Sequence, residues 1–248
     1  MGRAGSRRCL ALASMIETIL FDFGQTLVDS SEGFRKAEKD AQVKIFENLA
    51  FDSWPEFLGD YRELRKTYHD SLNFSRKELW EGVYRYYQRK VDEAFLLEME
   101  EIYWETVKLH TRPFPEALGV LEKLSKHYKL GMITNTQGQV SYASHRISLF
   151  PEIEGFFEVI IVAGEKGIPA KPHPTPFLLC LSKMGFNPSE SVYVGDDWRI
   201  DICGAEGVGI QPVWIKHHSV HRTWPEGKSS IPVIYSLDEL FHLAEIKL

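Results

Sequence analysis

A short apolar strand signal, Thr18-Ile19-Leu20-Phe21, stands alone near the start of the chain, and its potential partners come only after residue 113. The run is rich in β-branched and large apolar side chains on both alternating faces. That suits the interior of a parallel sheet better than a half-solvated antiparallel one. Such a strand must be completed by strands far along the chain, so the intervening segment has to form something else. From about Phe34 to Lys108 the patterns are helical, broken at Ser53-Trp54-Pro55, at Ser71 to Ser75 and near Val91. Ser53 and Ser75 read as helix N-caps, Pro55 standing near one start and Glu78 completing Ser-x-x-Glu in the other.

After Pro113-Phe114-Pro115 the texture alternates. Helix Glu116–His127 precedes strand Lys129–Thr134, and helix Val140–Leu149 precedes strand Phe157–Ala163. Helix Pro176–Met184 precedes strand Ser191–Gly195, a short helix Ile200–Glu206 precedes strand Gln211–Ile215, and Val233–Tyr235 leads to a last helix capped by Ser236. Alternation of this kind predicts an α/β fold, a Rossmann-like, doubly wound parallel sheet, here with an inserted all-helical subdomain of about 75 residues. The expected boundaries are 15–31 and 109–248 for the core and 32–108 for the helical insert.

Composition narrows the function classes. The 248 residues fit one domain with a smaller insert, and the formal net charge of −6 gives no general pull towards nucleic acid or an anionic membrane. The three cysteines show no C-x-x-C spacing, which argues against a disulfide framework and for a reducing, cytoplasmic setting. No apolar run approaches a membrane span. Residues 1–14 carry Arg3, Arg7 and Arg8 before Leu10-Ala11-Leu12-Ala13, too short an apolar stretch for a signal peptide. They are read as a disordered extension, with Met15 an alternative start.

In doubly wound sheets ligands bind at the carboxyl ends of the strands. There the sequence places Asp22, then Thr134-Asn135, then Lys171 in the loop after the third strand, then Asp196, Asp197 and Asp201. A single Asp at a strand end is as often a turn or capping residue. Together, carboxylates converging on one edge repel unless a cation neutralises them, and hard oxygen donors of this kind suit Mg²⁺. A lysine and a hydroxyl beside the cation suit the oxygens of a phosphoryl group. Metal-assisted phosphoryl transfer on a small phosphorylated substrate is the chemistry these residues point to.

Four motifs in order strengthen that reading: Phe21-Asp22-Phe23-Gly24-Gln25-Thr26-Leu27, Met132-Ile133-Thr134-Asn135, Lys171-Pro172-His173-Pro174, and Val194-Gly195-Asp196-Asp197 through Asp201. In this order and beside these strands, the chain resembles the haloacid dehalogenase (HAD) superfamily, most of whose members are phosphatases, over essentially all of its length after Met15. The helical insert has the position of the family's C1-type cap. The resemblance implies Asp22 as nucleophile, forming an aspartyl-phosphate. It implies Thr134, Asn135 and Lys171 as the phosphate-binding residues, Thr134 and Lys171 taking part in catalysis. For Mg²⁺ it implies Asp22, the backbone carbonyl of Gly24, Asp196, Asp197 and Asp201.

Gly24 departs from the pattern. The family's phosphatases carry there a second Asp that protonates the leaving oxygen, a contribution of about 10²–10⁴-fold for general acid–base catalysis. Three readings follow: a phosphatase of reduced rate or with another acid, such as one from the cap or from His217 and His218; a phosphonatase- or dehalogenase-like hydrolase; or a catalytically silent binding protein. Phosphonatases need a cap lysine that cannot be aligned here, and dehalogenases have no use for the acidic Asp196-Asp197 motif, so the phosphatase is favoured. His217 and His218 are expected in a solvated loop, and Gln25 in a turn. The insert's aromatics, among them Trp54, Phe57, Tyr61, Trp80, Tyr84, Tyr87 and Trp104, fall at helical spacings that predict core packing. Tyr84 to Lys90 mixes aromatic and basic residues, with Arg85 and Arg89 on one helix face.

Overall fold

The computed structural model describes residues 15–136, 146–220, 230–244 and 246. The extension read over 1–14 lies outside the described residues, as does most of the helix expected over Val140–Leu149. Its described end, Arg146–Leu149, is a 3₁₀ turn.

Six parallel strands form the sheet: β1 (Thr18–Phe21), β4 (Lys129–Asn135), β5 (Val159–Ala163), β6 (Ser191–Gly195), β7 (Gln211–Ile215) and β8 (Val233–Ile234). Their spatial order is β5-β4-β1-β6-β7-β8, so β1 is central, with β4 on one flank and β6 on the other. This is the α/β architecture the sequence predicts, and the reversal of winding at β1 opens a crevice at its carboxyl end. All four residues of β1 are buried. Ile19 and Phe21 join a core with Leu121, Leu124 and Ile153 on one face. Leu20 points to the other face, among Phe177, Cys180 and Ala205 from helices α7 (Pro174–Met184) and α8 (Cys203–Gly207). Burial on both faces explains why the strand shows no polar alternation.

Two short strands that the sequence does not announce, β2 (Val28–Asp29) and β3 (Arg112–Pro113), pair antiparallel. The sequence predicts a loop before Ser31 and a proline break at Pro113. Two-residue strands carry too little periodicity to read, and Pro113 is tolerated because a ribbon of two strands has only edges. This ribbon ties together the two points where the chain leaves the sheet and returns.

Between β2 and β3 lie four helices: α1 (Ser31–Leu49), α2 (Trp54–Asp70), α3 (Arg76–Tyr86) and α4 (Glu93–Leu109). Ser75 caps α3, its hydroxyl accepting from the Glu78 N–H at 3.3 Å, whereas Ser53 makes no side-chain capping bond. The helices enclose their own core, in which Phe57, Tyr61, Trp80 and Trp104 are fully buried. The aromatics therefore pack, as their spacing predicts. Their polar ends converge on Glu38, which is 7% exposed. Tyr61 donates to Glu38 Oε1 at 3.0 Å and Tyr103 to Oε2 at 3.2 Å. Arg76 Nε stands 3.3 Å from Glu38 Oε2, and Trp80 donates to the Tyr61 hydroxyl at 3.2 Å. One carboxylate thus links α1 to α2, α3 and α4.

Glu38→Ala leaves two phenol hydroxyls without their acceptor and Arg76 without its carboxylate in an apolar core. The expected cost is about 3 kcal/mol of unfolding free energy, read by urea denaturation, against about 1 kcal/mol for Tyr61→Phe. Equal costs for the two variants would mean that Glu38 does not organise the helical core.

Candidate active site

The carboxyl end of β1 delivers Asp22, whose N–H donates to the Val194 carbonyl at 2.9 Å and so continues the sheet for one residue. Asp196 follows β6 directly, its carbonyl accepting from Trp214 Nε1 at 2.9 Å. The chain then makes a π-helical turn, Trp198–Ile202, that brings Asp201 back over Gly195. A Cβ on Gly195 would stand 2.5 Å from Asp201 Cβ, so only glycine allows this return. Oxygens of Asp22, Asp196 and Asp201 all lie within 4.8 Å of one another, each residue buried. The structure thus brings together three of the four carboxylates expected at a metal. Asp197 stands apart from that trio and caps the turn, its Oδ1 accepting from the N–H groups of Arg199 and Ile200 at 3.0 Å each.

Lys171 supplies the opposing charge. It is 1% exposed, and its Nζ lies 2.8 Å from Asp22 Oδ1, 2.7 Å from Asp201 Oδ1, 2.7 Å from the Ile133 carbonyl and 2.7 Å from the Tyr193 hydroxyl. Asn135 holds this lysine in place: its Oδ1 accepts from the Lys171 N–H at 2.8 Å and its Nδ2 donates to the Lys171 carbonyl at 3.1 Å. The Asn135 side chain, expected at a phosphate, is therefore engaged with the lysine backbone. Thr134 is buried beside it at the end of β4. Sequence reasoning missed Tyr193. It reads as one more apolar strand residue, and only the sheet order brings its hydroxyl under Lys171.

These neighbours set the protonation states. Burial raises the Asp22 pKa, Lys171 opposes the shift and Asp201 adds to it, leaving the carboxyl at about 6 in the metal-free protein. For Lys171 burial acts to lower the pKa, but Asp201 and Asp22 outweigh it, and the group stays an ammonium with its pKa raised. The ammonium is matched by more negative charge than it can balance.

After Asp22 the chain turns tightly. Gln25 adopts φ 64°, the turn residue its position suggests, and its N–H donates to the Val28 carbonyl at 2.7 Å. His217 corrects the expectation of a solvated loop: it is buried, stacked on Phe114 at 3.5 Å, with Nε2 3.1 Å from the Thr26 carbonyl. Burial lowers its pKa, so it is a neutral strut for the nucleophile turn rather than a proton source. His218 is exposed, as expected. A side chain absent from the sequence reading, Arg146, occupies the space beside Gly24: a Cβ there would sit 3.3 Å from its Nη2. Arg146 is 4% exposed; burial lowers its pKa to about 10, with Asp22 acting in the opposite direction. It remains a cation at neutral pH.

Above the sheet edge a cleft of about 490 Å³ separates helices from strands, lined by Phe74, Lys77, Glu81 and Glu100 on the helical side and by Thr136 and Ala170 on the other. Of the insert's aromatics only Phe74 reaches it, and Arg85 and Arg89 are exposed elsewhere.

Residues 16–209 match the family model described as haloacid dehalogenase-like hydrolase. The chain is 31% identical to the glyceraldehyde 3-phosphate phosphatase of Pyrococcus furiosus, over 82% of this chain and 81% of that protein. It is 29% identical to the phosphoglycolate phosphatase of Aquifex aeolicus, over 73% and 76%. Among solved structures, a HAD phosphatase from Thermococcus onnurineus superposes with a TM-score of 0.64 at 23% identity, over 92% of this chain and 97% of that one.

The raised Asp22 pKa has a consequence for folding. Between the ordinary value of 3.8 and about 6 the folded chain holds a proton on Asp22 that the unfolded chain has lost. Stability from this group is therefore present at low pH and falls as pH rises through that window. In EDTA, Asp22→Asn is expected to be more stable than the parent at pH 7.5, by up to about 3 kcal/mol, with the gap narrowing as pH approaches 4. Denaturant melts at the two pH values test this, and a gap independent of pH would refute it.

Proposed function

The chain belongs to the haloacid dehalogenase-like hydrolase family, and from that premise we propose that it is a Mg²⁺-dependent phosphatase working through an aspartyl-phosphate on Asp22. Its named relatives are phosphatases, and the hydrolase class follows from the family. The finer reading rests on one observation above all: three buried carboxylates gathered within 4.8 Å against a single lysine that bridges two of them. That excess of negative charge fits a divalent cation.

Asp22, Asp196, Asp201 and the Gly24 carbonyl are the groups that would hold Mg²⁺, which supplies charge neutralisation and Lewis acidity at a phosphoryl oxygen. The Asp22 carboxylate attacks phosphorus as the bond to the leaving oxygen breaks, and the electron pair departs with the leaving group. Thr134 and Lys171 bind the phosphoryl oxygens and hold them in line with Asp22. Water then attacks the aspartyl-phosphate, releasing inorganic phosphate and a proton and restoring the carboxylate. Asp197 and Asn135 act at one remove, capping the turn that carries Asp201 and fixing the Lys171 backbone. The helical layer over residues 32–108 serves as a cap that closes on the cleft and excludes water. Small phosphorylated metabolites stand in the relatives' names, which supports a substrate of that size.

Phosphate release from p-nitrophenyl phosphate and acetyl phosphate should depend on Mg²⁺, stop in EDTA and fall on the order of 10³-fold or more in Asp22→Asn. Lys171→Met should lower kcat by about 10²–10³-fold. No turnover above Asp22→Asn on either ester would replace this reading with a phosphate-binding protein on the same fold.

A further inference from the structure

Arg146 is buried at 4% exposure and has no carboxylate partner among the described residues. Its Nη1 donates to the Ser30 hydroxyl at 2.8 Å, its Nε is buried without a hydrogen-bond partner, and its guanidinium carbon lies 5.1 Å from the Phe34 ring centre and 5.7 Å from that of Phe23. A guanidinium carries five donors in a fixed plane, and leaving part of them dry and unmatched is costly. Nη2 faces Gly24, two residues from Asp22, and would stand 3.3 Å from a Cβ at that position. The place where a proton-donating carboxylate would project is thus faced by a buried cation whose Nε–H has no partner.

We propose that Gly24 and Arg146 form a receptor for a carboxylate leaving group, which makes acyl phosphates the preferred substrate class. The inference rests on the phosphatase reading above. With no acid at Gly24, the leaving oxygen departs unprotonated, and the leaving group must be stable as an anion. In an acyl phosphate the P–O bond breaks to give a carboxylate that keeps the electron pair and needs no proton. Arg146, whose Nη2 faces Gly24, offers that carboxylate a charged donor. Pyrophosphate also releases an anion, the second phosphate group, but that phosphate brings more negative charge than one guanidinium balances. An alkyl phosphate leaves as an alkoxide, for which the site has no donor of a proton. The turn agrees with this assignment: Ser30, which accepts from Arg146 and from Thr111 at 3.0 Å, makes no capping bond to its own helix.

The test compares kcat/KM for acetyl phosphate, pyrophosphate and glycerol 2-phosphate, all with Mg²⁺, in the parent, Arg146→Gln, Arg146→Lys and Gly24→Asp. The parent should favour acetyl phosphate over both others. In Arg146→Gln the preference for acetyl phosphate over glycerol 2-phosphate should collapse by about 10²-fold, and Arg146→Lys should restore it in part, since it keeps the charge without the fork. Gly24→Asp should also lower acetyl phosphate turnover, because the new carboxylate pairs with Arg146 and does not act as the missing acid. Should Arg146→Gln fail to fold, Arg146→Lys and Gly24→Asp carry the comparison. A parent that favours pyrophosphate or glycerol 2-phosphate overturns the proposal, as does an Arg146 variant that loses all three substrates equally, since that marks a structural cation. The Asp22→Asn control separates the two claims. Turnover that depends on Asp22 but keeps its preference without Arg146 removes only this inference; turnover indifferent to Asp22 removes both.

Discussion

The buried ammonium of Lys171 is the constraint around which the sheet edge is arranged. It touches Asp22 from β1, Ile133 from β4, Tyr193 from β6 and Asp201 from the turn beyond β6. Four segments that meet nowhere else in sequence are held at one point by three N–H bonds shared among four acceptors. A lysine so placed stays charged only because two carboxylates offset its desolvation, and those carboxylates tolerate burial only because the lysine is there. Asn135 fixes the backbone that carries it. Without this centre, the carboxylates that follow β1 and β6 would face one another with much of their balancing charge gone.

That mutual dependence explains what could be read from the sequence. The strand-end residues were readable because each follows a run whose burial on both faces leaves one assignment, and because their order matches a known pattern. Sheet membership of β6 and β7 was readable to the residue for the same reason. What escaped was set by partners distant in sequence. Tyr193 differs from its strand neighbours only in a hydroxyl whose purpose depends on Lys171. His217 looked solvated because its two partners, the Thr26 carbonyl and the Phe114 ring, are unrelated to its own segment. The β2–β3 ribbon has no periodicity to detect, and Glu38 gives no sign that four aromatic helices close over it.

The two hydrophobic cores divide the work. The sheet's cores hold the strand ends rigid, while the helical layer builds a separate core organised by Glu38. Exposed polar contacts join the two layers, as in Arg199 with Asp70 and His69. Buried ones lie near Gly24, through Arg146, Ser30, Thr111 and Phe34.

Charge at the site explains why glycine and arginine belong together. Asp22, Asp196 and Asp201 face Lys171 and Arg146, an imbalance of one negative charge that a divalent cation would turn into one positive charge. A pocket so charged would attract a phosphoryl group. A further aspartate at position 24 would sit against Arg146, and the two would neutralise each other at close range, leaving neither a proton donor nor an open cation. The glycine is therefore more than a missing acid, because it leaves the guanidinium free to act. A site that cannot donate a proton but holds an open, buried cation is suited to leaving groups that depart as anions. On this fold that property is set by one backbone position and one arginine more than a hundred residues away in sequence.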